Sequence, residues 1–334
     1  MNTLTTVITA AVAFGVTVIM GIVMIPVLKR LKFGQSIRED GPKWHQSKQG
    51  TPTMGGLIFI AGTVAAVIVG YLTLALFKGE SLPTDQGFFL FGGLIMASLF
   101  GLIGFVDDYI KVVKKRNLGL KARQKIIGQI LVTALYLTAL HFFGGRSTVI
   151  NFPFLGQLDL GLFYYPILGI LIIGIVNSVN LTDGIDGLCG SVTFLVGIFF
   201  MLATAILGLS GLNILASALA AACVGFLVFN MHPAKLFMGD TGSMFLGGMV
   251  VALAFGINME FILFFCGFIY CCEALSDILQ VCYFKLTHGK RLFRMAPIHH
   301  HFEMGGMSEN KIVLMFSLVT VVMCGIGLAA VVMM

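Results

Sequence analysis

The sequence has 334 residues, of which 58% are hydrophobic and only 11% are charged, and its formal net charge is +6. Soluble domains usually carry about 25% charged residues, so this composition excludes an ordinary soluble protein. Basic and aromatic residues are not interleaved in any polar module, which argues against nucleic acid as a partner. Apolar runs of about 20 residues, the length that crosses a bilayer, recur along the chain and predict an all-α polytopic integral membrane protein.

The hydropathy pattern and its Gly and Pro interruptions divide the chain into about ten predicted transmembrane helices. We expect them at residues 4–28, 54–77, 88–106, 126–143, 164–181, 189–209, 212–229, 243–258, 261–284 and 311–333. No polar segment is long enough for a separate domain, so residues 1–334 are expected to form one transmembrane domain. The loop at 144–163 is predicted to contain a small hairpin, because Gly144, Pro153 and Gly156 interrupt alternating apolar residues.

Nearly all Lys and Arg residues lie on one side of the predicted membrane. Only Lys78 and Arg146 are exceptions. The others occupy the segments 29–50, 107–125, 231–242 and 285–311. Positive charge marks the cytoplasmic side of a membrane protein, so we expect these segments in the cytoplasm and both termini outside. Their charge would attract anionic lipids and phosphate-bearing ligands.

Two adjacent carboxylates, Asp107 and Asp108, follow the third predicted helix. Adjacent carboxylates repel one another, and binding a hard cation such as Mg²⁺ is one way to keep both ionised. Lys111 comes three and four residues later and would share their face if the helix continues, and Lys125 belongs to a basic strip nearby. A helix end that is merely capped or anchored by two aspartates is the alternative interpretation.

A second acidic cluster follows the fifth predicted helix. Asn177 and Asn180 lie on one face near the end of that helix, and Asp183, Gly184 and Asp186 come directly after it. Amide and carboxylate side chains suit the donors and acceptors of a base or a ribose, and glycine permits close backbone approach to a ligand. An ordinary Asx-rich turn is the alternative, although it does not explain two amides in an apolar helix.

The third acidic cluster contains one carboxylate, Asp240, at the end of a segment that begins at Asn230 and includes Phe237. An aspartate in front of a helix commonly acts as an N-cap, and a lone Phe is more often a core residue than a stacking platform. However, charges near membrane depth are costly and usually functional. Three acidic clusters on one face therefore favour a functional site.

Three consecutive histidines, His299, His300 and His301, lie between Pro297 and Glu303. They cannot all face the same point on a helix. Imidazoles are good phosphate contacts and proton carriers at neutral pH, so this segment indicates either phosphate binding or a solvated loop.

Together these motifs resemble those of the polyprenyl-phosphate N-acetylhexosamine-1-phosphate transferase superfamily, over essentially the whole chain. The triple histidine and the segment 48–56 are similar to its muramoyl-pentapeptide branch. The resemblance implies a protein of the bacterial plasma membrane with its active site on the cytoplasmic face. It also implies Mg²⁺ as cofactor, UDP-N-acetylmuramoyl-pentapeptide and undecaprenyl phosphate as substrates, and a homodimer.

The resemblance further implies roles for individual residues. Asp240 would ligate Mg²⁺, and Asp107 would engage the lipid phosphate with support from Asp108. The residues that would contact or orient phosphate are His299, Lys111 and Lys125. The residues that would form the uridine pocket are Asn180, Asp183, Gly184, Asp186 and Phe237. The residues that would line the sugar side are Lys48, Thr53, Gln280 and His300. The other members of the matching motifs, also expected to bind substrate, are Asn177, Asn230 and His301.

The implied reaction is attack by a lipid phosphate oxygen on the sugar-linked phosphate, with UMP leaving. A phosphate monoester has a second pKa of about 6, so removing a proton supplies little rate at neutral pH. We therefore favour direct displacement, with Asp107 orienting the lipid phosphate and accepting a residual proton. An aspartyl-phosphate intermediate stays open as the alternative.

Two other functions compete with this interpretation. An N-acetylglucosamine-1-phosphate transferase would belong to the same superfamily but would lack the triple histidine. A transporter would place polar groups near the membrane midplane, often in repeated halves with broken helices, and no repeat is evident in the sequence. Glu273 and Asp277 lie inside the ninth predicted helix without an assigned role, and a helix break beside them would open a groove for a lipid tail.

Overall fold

The computed structural model describes residues 3–31, 48–78, 82–114, 118–145, 147–152 and 154–333. Arg146, Pro153 and most of the basic segment 29–50 lie outside the described residues. In the described part, nine helices are long and apolar enough to cross a membrane, and a tenth span is a bent helix pair. The all-α polytopic membrane fold and the number of spans are therefore confirmed.

The helices occupy nearly the predicted positions, and their bounds differ from the predictions mostly by a few residues. The first six spans are α1 (Thr3–Arg30), α2 (Gly56–Lys78), α3 (Thr84–Val113), α4 (Ala122–Phe143), α5 (Tyr164–Thr182) and α6 (Leu188–Ile206). The others are α7 (Ser210–Asn230), α8 (Gly239–Gly256), the pair α9 (Glu260–Cys266) and α10 (Phe268–Leu286), and α12 (Glu309–Val332). A short helix, α11 (Ile298–Glu303), carries the three histidines.

The predicted hairpin is present between α4 and α5. Strands β1 (Val149–Phe152) and β2 (Gly156–Asp159) pair antiparallel, with Val149 opposite Asp159. The Asp159 carboxylate accepts hydrogen bonds from the Thr148 hydroxyl and the Gly161 N–H, and these bonds lower its pKa.

Helix α3 extends seven residues beyond the predicted end at 106, to Val113. The prediction stopped where the apolar run stops, whereas the backbone hydrogen bonds continue into the charged segment. As a result Asp107, Asp108 and Lys111 stand on a regular helix, which the shared face of these three residues requires.

The ninth span bends by 85° at Gly267. The break considered beside Glu273 and Asp277 is not there, because α10 is continuous from Phe268 to Leu286. Gly267 permits the bend at its own position, since a Cβ at this residue would lie 2.6 Å from the Leu263 carbonyl oxygen.

Helix α8 lies at the centre of the protein and is buried from Thr241 to Gly256. It packs along α3, and two glycines permit this contact. A Cβ at Gly104 would lie 2.1 Å from the Asp240 carbonyl oxygen, and one at Gly248 would lie 2.6 Å from the Cα of Ala97. Because Gly104 is one turn before Asp107 and Asp108, this close packing sets both carboxylates against the start of α8.

Candidate active site

Three carboxylates meet where the end of α3 touches the start of α8. Asp107, Asp108 and Asp240 each offer an oxygen within 4.8 Å of the others, and we call this group the acidic centre. Asp107 and Asp108 are buried, whereas the Asp240 side chain keeps 20% of its surface exposed. The centre is therefore open to solvent on the Asp240 side.

Asp108 holds the start of α8 in place. Its carboxylate accepts hydrogen bonds from the Thr241 N–H at 2.9 Å, the Thr241 hydroxyl at 2.7 Å and the Asp240 N–H at 3.2 Å. The N-cap position of α8 is Met238, whose side chain makes no capping hydrogen bond. The capping that the sequence suggested for Asp240 is therefore supplied by Asp108 from another helix, and the Asp240 carboxylate is left to other partners.

Two lysines balance the acidic centre. Lys111 Nζ lies 2.5 Å from Asp107 Oδ2 and 3.2 Å from Asp240 Oδ2, and Lys125 Nζ lies 3.0 Å from the same Asp240 oxygen. The other Asp107 oxygen accepts a hydrogen bond from the Leu120 N–H at 2.7 Å. Three carboxylates against two ammonium groups leave one negative charge for a further cation.

The polar end of α5 reaches the acidic centre through Asn180. The Asn180 amide donates to Asp240 Oδ1 at 3.0 Å and to the Ser243 hydroxyl at 2.7 Å. Asp183 follows α5 directly. Burial of its carboxyl and the negative charges nearby, chiefly that of Asp240, raise the pKa of Asp183 to about 8. Residues of the second and third acidic clusters predicted from the sequence therefore lie beside Asp107 and Asp108.

Asn177 lies one turn further from the centre. Its amide forms a reciprocal pair with Gln129 of α4, with hydrogen bonds of 3.1 and 2.8 Å, and also donates to the Ile173 carbonyl. Gln129 is fully buried and was not singled out from the sequence. The only sequence signal for it is an amide side chain inside a predicted membrane helix.

A second group of charges surrounds Lys48. Its ammonium group lies 2.7 Å from both Asp186 and Glu309, and His232 Nδ1 lies 3.0 Å from Asp186. We call Lys48, Asp186, His232 and Glu309 the Lys48 cluster. Glu309 was missed because a glutamate at the start of a membrane helix has an ordinary explanation in the helix dipole.

Two other predicted residues hold the loops beside the site. The Asn230 side chain accepts from the Gly187 N–H at 3.0 Å and donates to the Leu236 carbonyl at 2.9 Å. The Phe237 backbone pairs with the segment 52–55, which places the Thr53 hydroxyl beside Gly239. The Phe237 ring is partly buried.

The three histidines point to different partners, as the sequence predicts. His299 Nδ1 lies 2.9 Å from Glu273, His300 Nδ1 lies 2.9 Å from Glu303, and His301 Nδ1 accepts the Arg294 N–H at 3.1 Å.

Gln280 is engaged with the loop that precedes α11. Its carbonyl oxygen accepts the backbone N–H groups of Leu292 and Phe293, and its amide donates to the Phe293 carbonyl. These hydrogen bonds attach the loop that leads into α11 to helix α10.

Two groups among the described residues have the ligand spacing of a cation site, the acidic centre and the Asp186, His232 and Glu309 side chains of the Lys48 cluster. Carboxylate oxygens are the ligands that Mg²⁺ prefers, and both groups supply them. The acidic centre offers three carboxylates, whereas the Lys48 cluster offers two carboxylates and the His232 imidazole. The residues of the acidic centre therefore fit a hard cation such as Mg²⁺ better.

The profile of glycosyl transferase family 4 matches residues 90–258, and signature 1 of the phospho-N-acetylmuramoyl-pentapeptide-transferases matches residues 48–60. A phospho-N-acetylmuramoyl-pentapeptide-transferase of Clostridioides difficile is 46% identical over 97% of both chains. The proteins of the same name from Desulfitobacterium hafniense and Heliobacterium modesticaldum are 48% identical, over 95% of this chain and 94% of the relative, and 49% identical, over 91% of each. The chain belongs to the phospho-N-acetylmuramoyl-pentapeptide-transferase family.

Proposed function

We propose that this protein transfers phospho-N-acetylmuramoyl-pentapeptide from its UDP derivative to undecaprenyl phosphate, giving lipid I and UMP for peptidoglycan synthesis. The observation that carries the proposal is the convergence of Asp107, Asp108 and Asp240 with two lysines at one end of the membrane helices. Family membership supports the same reaction. The protein is a multi-pass bacterial membrane protein.

Residues 1–334 would act as one transmembrane domain, with the active site on the cytoplasmic face and both termini outside. The distribution of Lys and Arg supports this orientation. Both substrates carry phosphate, so a site at the basic face suits them. A homodimer is the assembly that the family resemblance suggests.

We assign Mg²⁺ to the acidic centre, with Asp240 as a ligand and Asp107 and Asp108 beside it. When bound, the cation would supply neutralisation of phosphate oxygens and polarisation of the bond that breaks. Asp240 is suited to the role because its side chain is the most accessible of the three and Asp108 already supports the backbone beneath it.

The side chains around the centre would align the two anionic reactants, and phosphoryl transfer chiefly depends on such alignment. Lys111 and Lys125 would offset the repulsion between the lipid phosphate and the UDP-sugar. Asp107 would orient the lipid phosphate and accept a residual proton. The attacking phosphate oxygen forms a bond to the sugar-linked phosphorus as the bond to the UMP oxygen breaks.

The UDP-sugar would bind beside this centre. Asn180 already reaches Asp240, and Asp183 lies at the end of the same helix. We assign the uridine to Asn180, Asp183, Gly184, Asp186 and Phe237. The sugar and peptide side is assigned to Lys48, Thr53, Gln280 and His300. The supporting contacts of the pocket are assigned to Asn177, Asn230 and His301.

A UDP-N-acetylglucosamine transferase is the alternative from the same superfamily, and relatives that share 46–49% identity and carry the muramoyl-pentapeptide name do not favour it. Purified protein in detergent, given Mg²⁺, undecaprenyl phosphate and UDP-N-acetylmuramoyl-pentapeptide, is expected to release UMP only when all three are present. Release with UDP-N-acetylglucosamine instead would identify the alternative. No release with either sugar from folded protein would contradict the proposal.

A further inference from the structure

A buried pair of side chains joins α10 to the histidine helix α11. His299 Nδ1 lies 2.9 Å from Glu273 Oε2, and the two side chains expose 1% and 0% of their surface. The same Glu273 oxygen is 3.5 Å from the His299 backbone nitrogen. Glu273 of α10 therefore contacts both the ring and the main chain of His299, which lies on α11.

The opposite edge of the His299 ring is turned toward the turn after α5. A Cβ at Gly184 would lie 2.1 Å from His299 Nε2, so only glycine leaves room for the ring there. Nε2 is buried and has no hydrogen-bond partner within the described part of the chain. A buried polar atom of this kind calls for a partner, and the neighbouring turn is the one assigned to the UDP-sugar.

The ring lies between two places for an acceptor. Glu273 Oε2 is at Nδ1, and a phosphate oxygen at Nε2 would be a second acceptor on the opposite edge. An imidazole satisfies an acceptor on each edge only when both of its nitrogens carry a proton. With Glu273 accepting at Nδ1, Nε2 is then the nitrogen that donates to phosphate.

We infer that Glu273 is a positioning residue that holds His299 with its Nε2–H directed at a phosphate oxygen of the bound UDP-sugar. This inference rests on the proposed function, because it takes the diphosphate of that substrate as the acceptor. Glu273 does not touch the substrate. It acts through His299 by orienting the ring and by keeping Nε2 a donor where an acceptor would repel phosphate.

Replacing Glu273 with Gln tests the role of the carboxylate. In E273Q we expect the side-chain oxygen to face the His299 backbone N–H and Nδ1. The opposite orientation would place the amide N–H₂ against the backbone N–H, so that two donors face each other. A neutral ring then places its proton on Nδ1 and presents a lone pair at Nε2. We expect E273Q to bind UDP about 10- to 100-fold more weakly, the usual effect of losing a hydrogen bond to a charged group, and to bind uridine nearly as the wild type does.

The measurement is equilibrium dialysis of detergent-solubilised protein with radiolabelled UDP and uridine, in the presence of Mg²⁺. It includes the wild type, Glu273→Gln, His299→Ala and the double variant. Glu260→Gln serves as the matched control, because Glu260 is another buried glutamate of the same bent span. We expect the control to bind both ligands normally, and the double variant to be no weaker for UDP than His299→Ala.

Equal loss of UDP and uridine in folded E273Q would show a general structural role and overturn the inference, as would additive losses in the double variant. If E273Q does not fold, Glu273→Met, which also removes the carboxylate, takes its place, and an unchanged preference of Glu273→Met for UDP over uridine would overturn it as well. UMP release by the wild type is measured separately. Normal release with an unaffected E273Q rejects the role of Glu273 alone, whereas no release by the wild type rejects the proposed function.

Discussion

Two charged groups stand near each other on the same face of this protein, and only one of them is suited to hold a cation. The acidic centre has three carboxylates and two lysines, with Asp240 partly exposed. The Lys48 cluster has similar ligand spacing, but it offers two carboxylates and the His232 imidazole, and its lysine lies 2.7 Å from both carboxylates. Ligand spacing alone is therefore insufficient to identify a metal site, and the number of carboxylates distinguishes a site for a hard cation from an ion-pair brace.

The largest effect is expected from Asp240→Asn. This change removes the accessible carboxylate of the acidic centre while retaining its size. UMP release should fall by about 1,000-fold, the upper end of the loss seen when one electrostatic contact to a transition state is removed. The exposed Asp159→Asn on the hairpin is the control and should release UMP at the wild-type rate. Activity of Asp240→Asn within tenfold of the wild type would contradict the assignment.

A large effect on stability is expected from Lys48→Met. It leaves Asp186 and Glu309 buried together without their cation, which costs about 3–5 kcal/mol when one partner of a buried pair is removed. The thermal unfolding midpoint in detergent should fall, and the added change Glu309→Gln should restore much of it. Mn²⁺ should raise the midpoint of Lys48→Met more than that of the double variant. A Lys48→Met protein as stable as the wild type would show that the cluster is not a brace.

A smaller effect is expected from Asp108→Ala, which removes the cap of α8. Losing a capping side chain costs about 0.5–2 kcal/mol, so the unfolding midpoint should fall modestly. Asp108→Asn keeps an acceptor for the Thr241 hydroxyl and N–H and should be more stable than Asp108→Ala. Equal midpoints for Asp108→Ala and the wild type would indicate that Asp108 does not support the start of α8.

The spans, the hairpin and the convergence of the acidic motifs were predictable from the sequence. Hydropathy and turn residues act over short stretches of chain, and the positive-inside rule sorts loops without knowledge of packing. The sequence also predicts Asn180 and Asp240 on the same face, because α5 ends where α8 begins. The structure places the Asn180 amide on the Asp240 carboxylate.

The partnerships between distant elements were not predictable. In the sequence Glu273 is a charge in a membrane helix with no evident partner. Only the folded structure brings it into contact with His299, 26 residues away. Glu309 and Gln129 have ordinary local explanations, and only their contacts with Lys48 and Asn177 give them a role. The bend at Gly267 depends on backbone packing that hydropathy does not register.

We expect the divalent cation to bind in the acidic centre and not in the Lys48 cluster. The most direct test is the binding of Mn²⁺ to metal-free detergent-solubilised protein, followed by electron paramagnetic resonance, for the wild type, Asp240→Asn and Glu309→Gln. We predict that the wild type and Glu309→Gln bind the ion alike and that Asp240→Asn loses this binding. Binding that survives in Asp240→Asn and disappears in Glu309→Gln would contradict the claim and place the ion in the Lys48 cluster.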